Sequence, residues 1–205
     1  MALRGVHLAR FLTVLAGLAV FSADARAAPA SQVIERFNAA LLKVMQEAET
    51  LRYAGRYEVL APAVTSTFAL PFMARVAAGR YWKNLSAAQR DKLVDAFTRL
   101  TIATYAARFN GYSGQRFEIV GEGPAPRDTT LVKTRIVKSD GDPVPINYLL
   151  RPKGEGWEVL DIHLKGRISE LAIRRSEYSA ILGREGFDGL LAALERKIAA
   201  LKEEP

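Results

Sequence analysis

The sequence predicts an α+β fold in which helices pack on one face of a four-stranded antiparallel meander. Three observations lead there. Residues 31 to about 109 carry helical apolar periodicity, the period changes to that of strands between 116 and 165, and helical periodicity returns from 168 to about 201. Helices first, a meander next and helices last give helices gathered on one face of a sheet.

The N-terminus is set aside before any fold reasoning because it reads as a secretory signal. Arg4 and Arg10 precede an apolar stretch at 11–21, and the small-residue pattern Ala25-Arg26-Ala27 comes after it. A stretch of about 11 residues is well short of the roughly 20 that a helix needs to cross a bilayer, so a membrane anchor is the weaker reading. Cleavage is expected after Ala27, with Ala25 as the second choice. Removing Arg4, Arg10 and Arg26 against Asp24 takes the formal charge from +7 to +5 and leaves 178 residues. That length, 28–205, suits one domain whose core needs no metal or disulfide.

Export and basicity point to an anionic partner, a phospholipid surface or an acidic protein face, and argue against nucleic acid. The absence of Cys excludes disulfides, thiolate catalysis and Cys-ligated metals. His7 falls in the signal, so a histidine metal cage or a Ser-His-Asp triad would rest on His163 alone, inside a predicted strand. No cofactor is called for.

After Ser31, a candidate N-cap, Val33, Phe37, Ala40, Leu41, Val44 and Ala48 fall on one helical stripe. A less regular helix spans 57–66. Pro71 suits the first turn of a short helix ending near Gly79, with Phe72, Met73 and Val76 on one face. Ser86-Ala87-Ala88-Gln89 is a capping box that opens the longest helix, predicted to run to about Phe109 before Asn110-Gly111. Its apolar side collects Leu93, Phe97, Leu100, Ala103 and Tyr105, with Thr101 and Thr104 near the edge.

Strands are predicted at 116–120, 129–138, 144–151 and 158–165, joined through Asp140-Gly141-Asp142-Pro143 and Lys153-Gly154-Glu155-Gly156. Simple alternation in the last strand places Leu160, Ile162 and Leu164 on one face and Trp157, Val159, Asp161 and His163 on the other. Two helices, 168–182 and 187–201, close the chain around Gly183 and Gly186.

Several of these residues carry a family likeness: Tyr81-Trp82, Leu85-Ser86, Gln89-Arg90, Phe97, Tyr148, Trp157-x-Val159-x-Asp161, Gly166-x-Ile168-Ser169 and Arg175-Ser176-Glu177-Tyr178. In this order they resemble the MlaC / toluene-tolerance family of periplasmic lipid carriers, over about 33–201. The resemblance implies a soluble, monomeric, non-enzymatic shuttle. It would move a membrane lipid between an outer-membrane lipoprotein/porin assembly and an inner-membrane ABC transporter complex, shielding acyl chains in an apolar cavity between helices and sheet. Two chains of roughly 15 methylenes each would strand on the order of 20 kcal/mol in water, which only such a cavity offsets. Where the family reads Asn-Tyr-Arg-Ser-x-Phe, this chain reads Ile173-Arg174-Arg175-Ser176-Glu177-Tyr178. That departure leaves phospholipid and hopanoid both open as ligands, the latter through the hopanoid-associated (HpnM-like) branch.

The candidate lipid-binding residues by pattern are Phe72, Val76, Tyr81 and Trp82 from the helical half and Leu100 and Tyr105 from the long helix. Tyr148, Leu150, Leu160, Ile162 and Leu164 come from the strands, and Ile168, Leu171 and Tyr178 from the first of the two closing helices. Ordinary core packing is the competing and slightly stronger reading of each, because a pocket wall and a core use the same apolar residues. Arg174 and Arg175 are head-group or docking candidates, against a solvated helix face. Asp161, set among apolar neighbours, is expected to have a partner. The competing function is an enzyme on a ketosteroid-isomerase-like α+β fold, with Asp161 and Tyr148 or Tyr105 as acid and base. A structural envelope adaptor would have no cavity.

Overall fold

A computed structural model describes residues 29–139 and 141–203. The predicted signal segment, 1–27, lies outside the described residues.

Helix α1 (Ala30–Gln46) buries Val33, Phe37, Leu41 and Val44, the stripe read from the sequence. Helix α2 (Ala48–Thr67) begins earlier than expected but breaks at Arg52, whose φ is 49°, so regular helix starts beyond that residue. Helix α3 (Leu70–Ala78) carries Pro71 in its first turn, where a missing N–H costs nothing. A 3₁₀ turn (Gly79–Asn84) leads to α4 (Ala87–Arg108). Its capping box is formed: Gln89 N–H donates to Ser86 Oγ (3.2 Å) and Ser86 N–H to Gln89 Oε1 (2.9 Å). Arg56 of α2 is buried and donates to the carbonyls of Ala106 (2.8 Å) and Ala48 (3.2 Å), tying the α2 break to α4.

The sheet is antiparallel in the order β1 (Arg116–Ala125), β2 (Thr129–Val137), β3 (Pro143–Lys153), β4 (Gly156–Leu164), β5 (Ile168–Ser169). It has five strands rather than the predicted four. Lys165 (φ 50°) and Gly166 (φ 74°) reverse the chain, and Ile168 and Ser169 then pair with Leu164 and His163. A two-residue strand is too short to show alternation. Strand β1 runs on past Val120 because a bulge there resets its register after Ile119.

A second register shift corrects the predicted faces of β4. Leu149 pairs with Asp161 but Leu150 pairs with Val159, leaving Leu160 as the extra residue. Val159 therefore joins Tyr148, Leu150 and Ile162 on the core face, where it is fully buried, instead of sitting opposite Ile162. Leu160 is buried outside that principal core. Val159 also receives the helical half: its carbonyl accepts the Ala69 N–H (2.9 Å), and Phe68 bridges to it.

Helix α5 (Glu170–Glu203) is interrupted only at Gly186 (φ 69°, ψ −166°), which divides it into the two predicted segments. Gly183 stays helical and serves packing, since a Cβ there would lie 2.9 Å from the Tyr81 hydroxyl. Helices and sheet share one apolar core, from Phe37 and Val64 through Phe97 and Leu100 to Val132, Leu150 and Leu190.

Candidate ligand cavity

Between α4, the start of α5 and the core face of β3 and β4 lies a cavity of about 170 Å³. Helix α4 supplies Phe97, Thr101, Thr104, Tyr105 and Arg108, positions 0, 4, 7, 8 and 11 of one helical stripe. The sheet supplies two cross-strand pairs, Tyr148 with Ile162 and Ile146 with Leu164. Phe68 and Met73 close one end, while Glu170 and Arg174, one turn apart on α5, form the remaining wall. Phe68, Phe97, Tyr148 and Ile162 are buried and Arg108 is exposed, so the stripe on α4 runs from a deep end at Phe97 to a mouth at Arg108.

The threonines behave as apolar residues here. Thr101 Oγ donates to the Phe97 carbonyl (2.8 Å) and Thr104 Oγ to the Leu100 carbonyl (2.7 Å), so both hydroxyl hydrogens are spent on the helix itself. Tyr105 is held by aromatic contacts: edge-on to Phe37 (centroids 5.1 Å) and stacked on Phe109 (5.7 Å). Burial pushes the hydroxyls of Tyr105, Tyr148 and Tyr178 above the ordinary tyrosine value, and Arg174 opposes part of that rise at Tyr105 and Tyr178. All three stay neutral hydroxyls at physiological pH.

Arg174 is mostly buried. Its Nη2 lies 3.3 Å from Glu170 Oε1, and its guanidinium carbon sits 5.6 Å from the centroid of the Phe97 ring. The solvated helix face weighed for it belongs to its neighbour: Arg175 is exposed, with its Nε near Gly79.

Of the residues predicted by pattern, the fold brings Tyr105, Tyr148, Ile162 and Leu164 together on the cavity wall, with Arg174. Leu100 and Leu150 lie in the solid core, as do Leu171 and Tyr178. Phe72 is covered by the guanidinium groups of Arg151 (4.9 Å) and Arg75 (5.5 Å), and Val76 is half-buried on the same helix. Tyr81 packs under Gly183, Trp82 under Arg90 (5.5 Å), and Ile168 is 47% exposed. Leu160 is the bulge residue. Lining residues absent from the prediction include Phe68, Met73 and Ile146. Ile146 was within reach, being in phase with Tyr148, but Phe68 is placed by the bridge to β4, which leaves no local mark.

Asp161 faces away from this cavity. Its Oδ1 accepts the N–H groups of Ile162 (2.8 Å) and Leu171 (3.0 Å), and its Oδ2 accepts the Ser169 hydroxyl (2.5 Å). Ser169 Oγ in turn accepts the Ala172 N–H (2.9 Å). Asp161 thus caps the N-terminus of α5, the partner its setting demanded. It pairs with Leu149, whereas Tyr148 and Ile162 point into the cavity, so the acid and base pairing of the enzyme alternative is not assembled. Among the described residues no cluster of acidic or histidine side chains is arranged to hold a metal.

An α+β layer fold around a mostly apolar cavity, charged only at Arg108 on α4 and at Glu170 and Arg174 on α5, has the lining expected of a site for a largely apolar ligand. The chain belongs to the MlaC protein family, whose model matches residues 35–196. A curated relative, the intermembrane phospholipid transport system binding protein MlaC of Haemophilus influenzae, is 27% identical over 158 residues, 75% of this chain and 71% of the relative. A phospholipid-binding protein from Ralstonia solanacearum, solved in complex with a phospholipid, has the same fold. Its TM-score is 0.75 at 20% identity, over 86% of this chain and all of that one.

Proposed function

We propose that this protein is a soluble phospholipid carrier of the periplasm, exported by the signal at 1–27 and acting through one lipid-binding domain, 28–205. The observation that carries this reading is the cavity between α4, α5 and the sheet, whose walls are mostly apolar and carry charge only at Arg108, Glu170 and Arg174. Family membership and the phospholipid-transport role of the H. influenzae relative support it. The protein works as a monomer that performs no chemistry, passing lipid between an outer-membrane assembly and an inner-membrane ABC transporter complex. Its positive charge favours approach to anionic surfaces.

The cavity volume sets a mechanical requirement. About 170 Å³ is below the roughly 300–1,000 Å³ of sites that enclose a drug-sized ligand, so taking up acyl chains requires the helical layer to move off the sheet. The contacts that must yield are the side-chain packing of α4 and α5 against β3 and β4, while the Ala69–Val159 backbone bond and the Asp161 cap on α5 keep the two layers tied at their ends.

The reading is tested by incubating purified protein with phospholipid vesicles, re-isolating it and quantifying bound phosphorus. Wild type is expected to retain phospholipid. Thr104→Trp, which fills the cavity from the middle of its α4 wall, is expected to reduce retention at least about tenfold while keeping its thermal transition. A wild-type protein that takes up no lipid contradicts the reading.

A further inference from the structure

The lipid-carrier reading accounts for the apolar wall of the cavity but not for the ion pair in it. Arg174 is 8% exposed and Glu170 has a side chain 18% exposed, yet both line the cavity. Hydrocarbon packed against this pair would displace the remaining water from two charges whose closest approach is 3.3 Å, too long for a strong charge-assisted hydrogen bond. A guanidinium has five N–H donors in a planar fork, and this one approaches Glu170 at 3.3 Å and has the Tyr178 hydroxyl beside it while its face rests over Phe97. The fork is therefore only partly used. Tyr105 and Tyr148, neutral hydroxyls on the opposite walls, add donors that suit the same kind of guest.

We propose that Arg174 is the polar subsite of the cavity, receiving an anionic oxygen group, carboxylate or phosphate, attached to the ligand's alkyl chain, with Glu170 as the counter-charge it exchanges. The ligand class is an anionic amphiphile whose charged oxygens reach the cavity wall beside Phe97, not a neutral hydrocarbon. Glu170 holds the fork in place until the guest's oxygens take it over, and it repels guests that bring negative charge without reaching Arg174.

The test compares three ligands of equal chain length, dodecanoate, dodecyl phosphate and dodecan-1-ol, by titration calorimetry at a pH above the carboxylate range. Wild type is expected to prefer the two anions over the alcohol by about tenfold or more. The anion that wins distinguishes a fatty carboxylate from a phosphate head group as the natural source. Arg174→Leu is expected to erase the preference while keeping the affinity for the alcohol, Arg174→Lys to keep part of it, and Glu170→Gln to raise affinity for both anions. Because Arg174→Leu strands Glu170, the double variant Arg174→Leu/Glu170→Leu, which removes both charges, repeats the measurement if the single variant fails to fold. Equal binding of all three ligands by wild type, a preference that survives Arg174→Leu, or no gain with Glu170→Gln overturns the proposal. The proposal rests on the carrier reading, but the two fail separately. Wild type that extracts phospholipid from vesicles without anion preference removes only the subsite. Wild type that shows the preference but extracts no phospholipid removes the carrier.

Discussion

At the scale of residues, the buried carboxylate on β4 is fully spoken for, whereas Asn38 Oδ1 and the Tyr53 and Tyr178 hydroxyls are buried without a hydrogen-bond partner among the described residues. Glu158 on β4 is 6% exposed and takes Arg151 Nη2 (2.6 Å) and Lys153 Nζ (2.9 Å) across the β3–β4 hairpin. Burial alone would raise its pKa, but the hydrogen bonds from Lys153 and Arg151 outweigh it and hold the carboxyl below the ordinary 4.5. A folded value below the unfolded one means the stabilisation is complete above pH 4.5 and is lost as pH falls through the lowered value. Urea midpoints of wild type should exceed those of Glu158→Gln at neutral pH, and the difference should vanish on acidification. Asp161→Asn keeps the size but weakens three accepted hydrogen bonds, one from Ile162 in β4 and two from Ser169 and Leu171 at the entry to α5, so a loss of about 1–3 kcal/mol is expected in urea unfolding. Single residues were unevenly legible in the sequence. The need of Asp161 for a partner followed from its apolar neighbours, whereas Arg174 falls on the stripe Leu171, Arg174, Tyr178, Leu182 and its charge masked the burial that this spacing implies.

At the scale of elements, helix and strand boundaries were legible where a physical signal was strong: the Ser86 capping box, Pro71 in a first turn, Gly186 at the α5 break. Gly186 has φ 69° and ψ −166°, a region nearly closed to residues with a Cβ, and nothing lies within 4 Å of where that Cβ would sit. Gly186→Ala is therefore destabilised through its backbone alone, by about 1–3 kcal/mol, which a chemical denaturation series would measure. An unchanged midpoint would mean that α5 straightens without cost. Bulges were the illegible elements. An extra residue at Leu160 reverses the facing of everything before it, and period-2 reasoning assumes that no such residue exists. The same bulge turns Val159 toward Phe68 and so builds one end of the cavity. The two-residue β5 went unread for a simpler reason, its length.

At the scale of the molecule, the order of helices, meander and helices was legible because each block is long enough to show its period, and the family likeness rests on residues that hold those blocks together. Tyr81 against Gly183, Trp82 under Arg90 and Asp161 on α5 are such supports. The family likeness therefore marked the scaffold more than the wall. A wall made by cross-strand pairs, a bridge at Phe68 and one helical stripe comes into being only when the layers meet. Its occupant is the central claim, and identifying what the protein carries tests it most directly. Protein isolated from the envelope of its own host under non-denaturing conditions, extracted with organic solvent and examined by mass spectrometry, should yield diacyl phospholipid at close to one per chain. Protein carrying only a hopanoid would contradict the phospholipid assignment, and protein carrying no lipid would contradict the account.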